Sequence, residues 1–245
     1  SSPRDGAIDP VLVSKALVAA AIQQGAQVLE RCEVLSVDDS SDHKGKLLRT
    51  SCDPIEADRV VLATGPAPAA VKRFGGFDLP QRSTPGVIVV TRPVKQLLHG
   101  ILVAPGIHIH QRIDGRLVIG EQDGAPDTVA HAARLVDRPT RFPNDLVAEQ
   151  HAQRLLATTR NYLPSVGDVE VDEVIIGWRP LPVDGHPVIG PSPADDRVYV
   201  AIMHSGVSLA AITGDLVARE LADGVDMALL RPFRANRVFD TKNRY

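Results

Sequence analysis

Apolar and polar positions change period several times along the chain, and each change marks an element. Over residues 10–23, Val13, Leu17, Ala20 and Ala21 fall at i, i+4, i+7 and i+8, the spacing of one helical face. Asp9-Pro10 supplies a start, because Asp accepts from free amides and Pro is tolerated at the first helical position; Gly25 supplies an end. The pattern predicts a helix whose alanine-rich stripe packs closely on a sheet. The apolar runs AQVLE (26–30) and CEVLSV (32–37) follow, and then a polar loop, DDSSDHKGK, of turn-favouring composition. LLRT and PIEA read as short strands of a β-meander. Residues 60–63, VVLA, read as a buried strand that leaves through Thr64-Gly65-Pro66, a sharp exit with little side-chain bulk.

From Pro85 the period shortens to alternation, in VIVVTRP and then ILVAPGIHIHQRIDGRLVIGEQD, with a hairpin signal at Asp114-Gly115. This predicts an antiparallel sheet. His108 and His110 would share one strand face, but two histidines without a third ligand describe a polar sheet face better than a metal site, so no metal is expected. A polar, proline-punctuated stretch at 125–144 leads to a helix over about 145–162, with Leu155 and Leu156 inward and Pro164 beyond its end. VDEVIIGWRP starts as a strand. A second strand is expected at 198–203, and then a helix that begins near Ser205-Gly206 and runs through Leu209, Ile212, Leu216 and Val217 to Gly224.

Composition narrows the function classes. An apolar share of 44% over 245 residues is enough for a substantial core. Lys+Arg 27 against Asp+Glu 30 gives a net charge of -3 with neither sign gathered into a block, which argues against nucleic acid as a partner. Cys32 and Cys52 have no CxxC or Cys/His ligand spacing; they fit a reducing compartment and leave a disulfide open. No apolar run has the length of a membrane span, and SSPRDGAIDP lacks the parts of a signal peptide. The expectation is a cytoplasmic protein with no membrane partner.

The stretch at 177–214, GWRPLPVDGHPVIGPSPADDRVYVAIMHSGVSLAAITG, combines an Arg-Pro step, an Asp184-Gly185 turn, two apolar strands and a glycine-containing entry into a helix. It resembles the C-terminal signature of the D-amino-acid-oxidase-like flavoprotein family, which includes glycine oxidase and sarcosine oxidase. The order of Asp9-Pro10, the strand at Val34 and the VVLATG exit resembles the middle of the same family's flavin domain. The resemblance implies non-covalent FAD, since no cysteine lies near the Arg-Pro step. It implies an adenine contact at Val34 and further FAD contacts at Ala63, Thr64, Gly65, Ser205, Gly206, Val207 and Ser208. Arg179 would bind the carboxylate of an amino-acid substrate through its two-toothed fork and add positive potential near the ring, and His204 would touch flavin or substrate. A reduced flavin is anionic at its pyrimidine side, so a helix N-terminus near Ser205-Gly206 would favour it.

One departure is large. The family opens with a strand–GxGxxG–helix unit that cradles the FAD pyrophosphate, and no GxGxxG occurs in these residues. The fold expected is α/β (α+β): an incomplete FAD-binding Rossmann-like domain from residues 1–70 and 177–245, with an antiparallel-sheet substrate domain at 71–176 inserted. The function expected is oxidation of a C–N bond of an amino acid or secondary amine by hydride transfer to FAD, with the missing unit on an upstream segment or a second polypeptide. The alternative is a non-catalytic remnant or subunit that keeps the fold and binds a partner. A serine hydrolase built on His204 and Ser205 is disfavoured, since adjacent residues serve poorly as base and nucleophile and G-x-S-x-G is absent.

Overall fold

The computed structural model describes residues 6–121, 142 and 145–240. The chain divides into two compact units, one of Ser1–Asp9 with Thr84–Arg179 and one of Pro10–Ser83 with Pro180–Tyr245. It passes between them within two long strands, β5 (Gln81–Thr91) and β9 (Val171–Pro182).

The second unit holds α1 (Pro10–Gln23), the antiparallel meander β1 (Val34–Asp39), β2 (Lys46–Thr50) and β3 (Ile55–Ala57), and a three-stranded sheet. That sheet has the order β10 (Val188–Pro191), β11 (Val198–Ile202), β4 (Val60–Leu62), with β10–β11 antiparallel and β11–β4 parallel. Its alternating side chains divide between two cores. Val60, Leu62, Val188, Val198 and Val200 join Val71 of α2 (Pro68–Gly75), while Ile189 and Tyr199 join Leu216 and Val217 of the C-terminal helix. Lys46 closes the meander onto this sheet's turn. It is buried, and its Nζ lies 2.8 Å from Asp39 and 2.6 Å from Asp195.

The first unit is built on the sheet β6 (Leu102–Ala104), β7 (Ile107–Gln111), β8 (Leu117–Glu121), β5, β9. β7 and β8 form the expected hairpin, closed by Gly115 N donating to Arg112 O, with Gly115 at φ +87° where only glycine sits without strain. The helix α3 (Asp145–Tyr162) buries Ala152, Leu155 and Leu156 against Val87, Val89, Ile107, Ile109, Leu117 and Ile119, one face of the sheet.

Three expectations are revised. Helix α1 buries none of its residues among the described ones, so no single stripe rests on a sheet. Its sequence shows why: only Ser14, Lys15 and Gln23 are polar, and a helix apolar round its circumference is an interior helix rather than a one-faced one. Of the apolar run at 32–37, only Val34 onward pairs, because the chain first turns through Arg31 at φ +56°. The C-terminal helix, α4 (Ala210–Asp223), starts five residues after Ser205, because residues 204–209 form turns held by Leu209 N donating to Ser205 O at 2.9 Å. The polar stretch at 125–144 lies, apart from Phe142, outside the described residues.

Candidate active site

In the second unit the parallel pairing sets a candidate cofactor edge. Val60 pairs with Val198 and Leu62 with Val200, so both strands leave the sheet at the same edge. Ala63, Thr64 and Gly65 therefore emerge beside Met203 to Ser208, at the carboxyl ends of parallel strands, where open α/β sheets receive ligands. Gly65 adopts φ +55°, a left-handed conformation that turns the chain at once and leaves open space where a side chain would be. His204, Ser205, Gly206, Val207 and Ser208 are all exposed, and a Cβ at Gly206 would meet nothing nearer than Met203 O at 3.8 Å. Neither serine caps α4; Leu209 holds the N-cap position with no side-chain bond, and the amide of Ala210 donates to Val207 O at 3.3 Å. Ser205 Oγ lies 3.4 Å from His204 Nδ1. Val34 belongs to the separate meander sheet, half-buried at the start of β1 and paired with Thr50.

A residue that sequence reasoning missed completes this edge. Gln81 Nε2 donates to Gly65 O at 3.3 Å, and its Oε1 is buried without a partner, as is Thr64 Oγ1. Burying two such oxygens unpaired is costly, which marks the edge as one that polar groups of a ligand satisfy. Open space above Gly65, an uncrowded Gly206, exposed apolar Val207 and two orphaned oxygens together fit a planar ring with a polar rim. They fit the ring end of FAD, and the sequence has no GxGxxG for the pyrophosphate end.

The first unit carries Arg179. Its guanidinium lies on Gly86, where a Cβ would stand 3.0 Å from Nε and 3.1 Å from Nη2, and Nη2 donates to the carbonyl of Glu121 at 3.1 Å. The group is half-buried, and burial draws its pKa below the usual guanidinium value. Register places His108 on the same face of the sheet. His108 pairs with Gly120, which pairs in turn with Ile88, two residues from Gly86. The His108 imidazole rests on Gly120, and its pKa is lowered first by burial and then by the charge of Arg179. His110, next on that face, is lowered by burial and by His108. Among the described residues no group of three ligating side chains gathers that could hold a metal. The glycines at 86 and 120 were the available sequence signal, but only pairing shows that they seat a guanidinium and an imidazole. Glu121 points to the other face, toward α3, where it pairs with Arg154 and keeps Oε2 buried without a partner.

Asp184, assigned to a turn, does turn the chain, with Gly185 N donating to Pro182 O. It is also buried and takes two bonds from Arg237, at 2.8 and 3.0 Å, and one from the amide of His186. Behind α4, Glu220 accepts from Tyr199 and Arg234 in a buried network. Both clusters tie the C-terminal segment at Arg234 and Arg237 to the second unit.

Residues 1–220 match the family model described as DAO, FAD dependent oxidoreductase. Glycine oxidase of Geobacillus kaustophilus is 30% identical over 242 residues, which is 96% of this chain and 59% of that protein. Its crystal structure superposes with a TM-score of 0.76 over 93% of this chain and 58% of that one. Glycine oxidase of Bacillus licheniformis is 27% identical over 94% of this chain and 58% of its own length. The chain thus spans somewhat under three-fifths of the length of these relatives.

Proposed function

The chain belongs to the DAO family of FAD-dependent oxidoreductases, and from that premise we propose that it forms the larger part of an enzyme that oxidises the C–N bond of an amino acid or secondary amine. FAD, when bound, supplies the acceptor for the hydride that leaves the substrate carbon. Arg179 binds the substrate carboxylate. Its guanidinium is held flat by Gly86 and spends one donor on the Glu121 carbonyl, so its remaining donors can engage two carboxylate oxygens. His108, kept neutral by burial and by Arg179, offers a hydrogen bond without competing for the anion. Thr64, Gln81 and the turn at 204–208 hold the ring end of FAD, and the pyrophosphate is held by a further segment on the same or a second polypeptide. The observation that carries the reading is the pair of buried, unpartnered oxygens of Thr64 and Gln81 at the carboxyl edge of a parallel strand pair, in a chain of this family.

The non-catalytic reading has one observation in its favour, the absent GxGxxG. Restoring a phosphate-binding segment and then changing Arg179 to Met separates the two. The enzyme reading expects a yellow protein with amine-dependent flavin bleaching. In Arg179→Met, KM for an amino acid should rise on the order of a hundredfold while flavin content holds. A restored protein that binds FAD but is not reduced by any amino acid or secondary amine supports the remnant. Loss of flavin with KM intact moves Arg179 to the cofactor.

A further inference from the structure

The open end of the meander brings the protein's two cysteines together. Val34 pairs with Thr50, and one step further Ser51 N donates to Glu33 O at 2.8 Å while Glu33 N donates to Ser51 Oγ at 2.9 Å. Beyond that step the strands end and the chain bends at residues 51–53, which brings Cys32 and Cys52 together around one hydroxyl. Thr50 Oγ1 ties the pair: it accepts from Cys32 Sγ at 3.3 Å and from the amide of Cys52 at 3.0 Å, and it donates to Asp53 O at 2.8 Å. Cys32 is half-buried and Cys52 exposed, so reagents reach the pair from solvent. The shared Thr50 hydroxyl keeps the two residues close enough for their sulfurs to meet through side-chain rotation.

We propose that Cys32 and Cys52 form a reversible dithiol–disulfide pair in which Cys32 attacks a hydroperoxide and Cys52 resolves the product. In the first step the Cys32 thiolate takes the terminal oxygen of the hydroperoxide; its sulfur is oxidised to sulfenic acid and the corresponding alcohol, or water, leaves. In the second step the Cys52 sulfur displaces hydroxide from that sulfenic acid, the S–S bond forms and one water is released. Two electrons pass from the two thiols to the peroxide, and an external thiol returns them. The roles follow from the surroundings. The neighbouring Cys52 thiol draws the Cys32 thiol below its ordinary pKa, and Cys32 in turn pushes Cys52 up. The bond would fasten the start of β1, two residues from Val34, across the mouth of the hairpin, independently of any flavin chemistry.

The test uses the chain as it is, reduced, desalted, exposed to hydrogen peroxide and quenched with an alkylating reagent. Intact mass should show loss of two hydrogens with both thiols disappearing together. The tryptic peptides 32–44 and 50–59 should be joined, in monomer, at a rate independent of protein concentration. In Cys52→Ser, Cys32 should stop at a sulfenic acid trapped by dimedone; in Cys32→Ser, the remaining thiol should react about tenfold more slowly. Matching far-UV spectra would establish that both variants fold. Thiols lost independently, disulfides formed only between molecules, or Cys52 reacting the faster of the two would overturn the proposal.

Discussion

The imidazole of His108 occupies the space that a Cβ on Gly120 would need: such an atom would stand 2.4 Å from both Cε1 and Nε2. The absence of a side chain at 120 is therefore what lets His108 lie against the sheet beside Arg179. Gly120→Ala must lift the ring toward solvent, at a cost of about 1–3 kcal/mol for the overlap. The lifted ring loses burial, so its pKa should rise toward the ordinary imidazole value. In the unchanged protein the depressed pKa favours the neutral ring, so its stability contribution is full above the unfolded pKa and disappears as pH falls through the lower folded value. Titration of the His108 ring by NMR checks both; an unmoved pKa in Gly120→Ala would disprove the seating.

Gly206→Val separates a role at the cofactor from a role in folding. A Cβ there meets nothing within 3.8 Å, so the valine should leave the melting temperature of this chain nearly unchanged. If the turn lies at the flavin ring, the same substitution should lower FAD affinity severalfold in protein with a restored phosphate-binding segment. Unchanged affinity by fluorescence titration would place the ring elsewhere.

Asp184 and Arg237 should govern acid stability in the second unit. Burial alone would raise the Asp184 carboxyl, but bonds from Arg237 and the His186 amide outweigh it and hold the group below its ordinary pKa. Its stabilisation is present above the unfolded carboxylate value and is lost as pH falls through the lower folded one. Asp184→Asn leaves Arg237 buried without its counter-charge and should cost about 3 kcal/mol at neutral pH. Urea midpoints measured through the acid range should fall less steeply with pH in the variant than in the unchanged chain.

Helix α1 should make the isolated chain self-associate. Leu12 is 65% exposed and Val18 44%, on a helix with no buried residue among the described ones. Exposed apolar surface of this extent drives association. Light scattering on a size-exclusion column should show growth in mass with concentration, and Leu12→Lys with Val18→Lys should return a monomer while helix content holds. A wild-type chain that stays monomeric at all concentrations would show that α1 is covered.

FAD should not remain bound to the isolated chain through gel filtration. The proposed ring-end contacts are neutral hydrogen bonds, apolar packing and one helix terminus, and the sequence has no GxGxxG for the charged pyrophosphate. One flavin per chain after chromatography would overturn this.

Local signals were legible from the chain alone because their causes are local. The apolar period and Pro164 delimit α3, Asp114-Gly115 closes the β7–β8 hairpin, and the short apolar run at 60–62 forms β4 ahead of its glycine exit. The order of motifs also carried the family, since an ordered set of turns and strands is itself sequence information. What tertiary structure decided depends on residues that meet only after folding. Gly86 and Gly120 seat Arg179 and His108 through strand pairing. Gln81 became part of the site by reaching Gly65, and Asp184 became a buried ion-pair partner through Arg237, 53 residues away. Periodicity states that α1 is apolar but not what covers it; that depends on the neighbours available, and the described residues provide none that bury it. Cys32 and Cys52 were two isolated residues until the β1–β2 pairing brought both to the hydroxyl of Thr50.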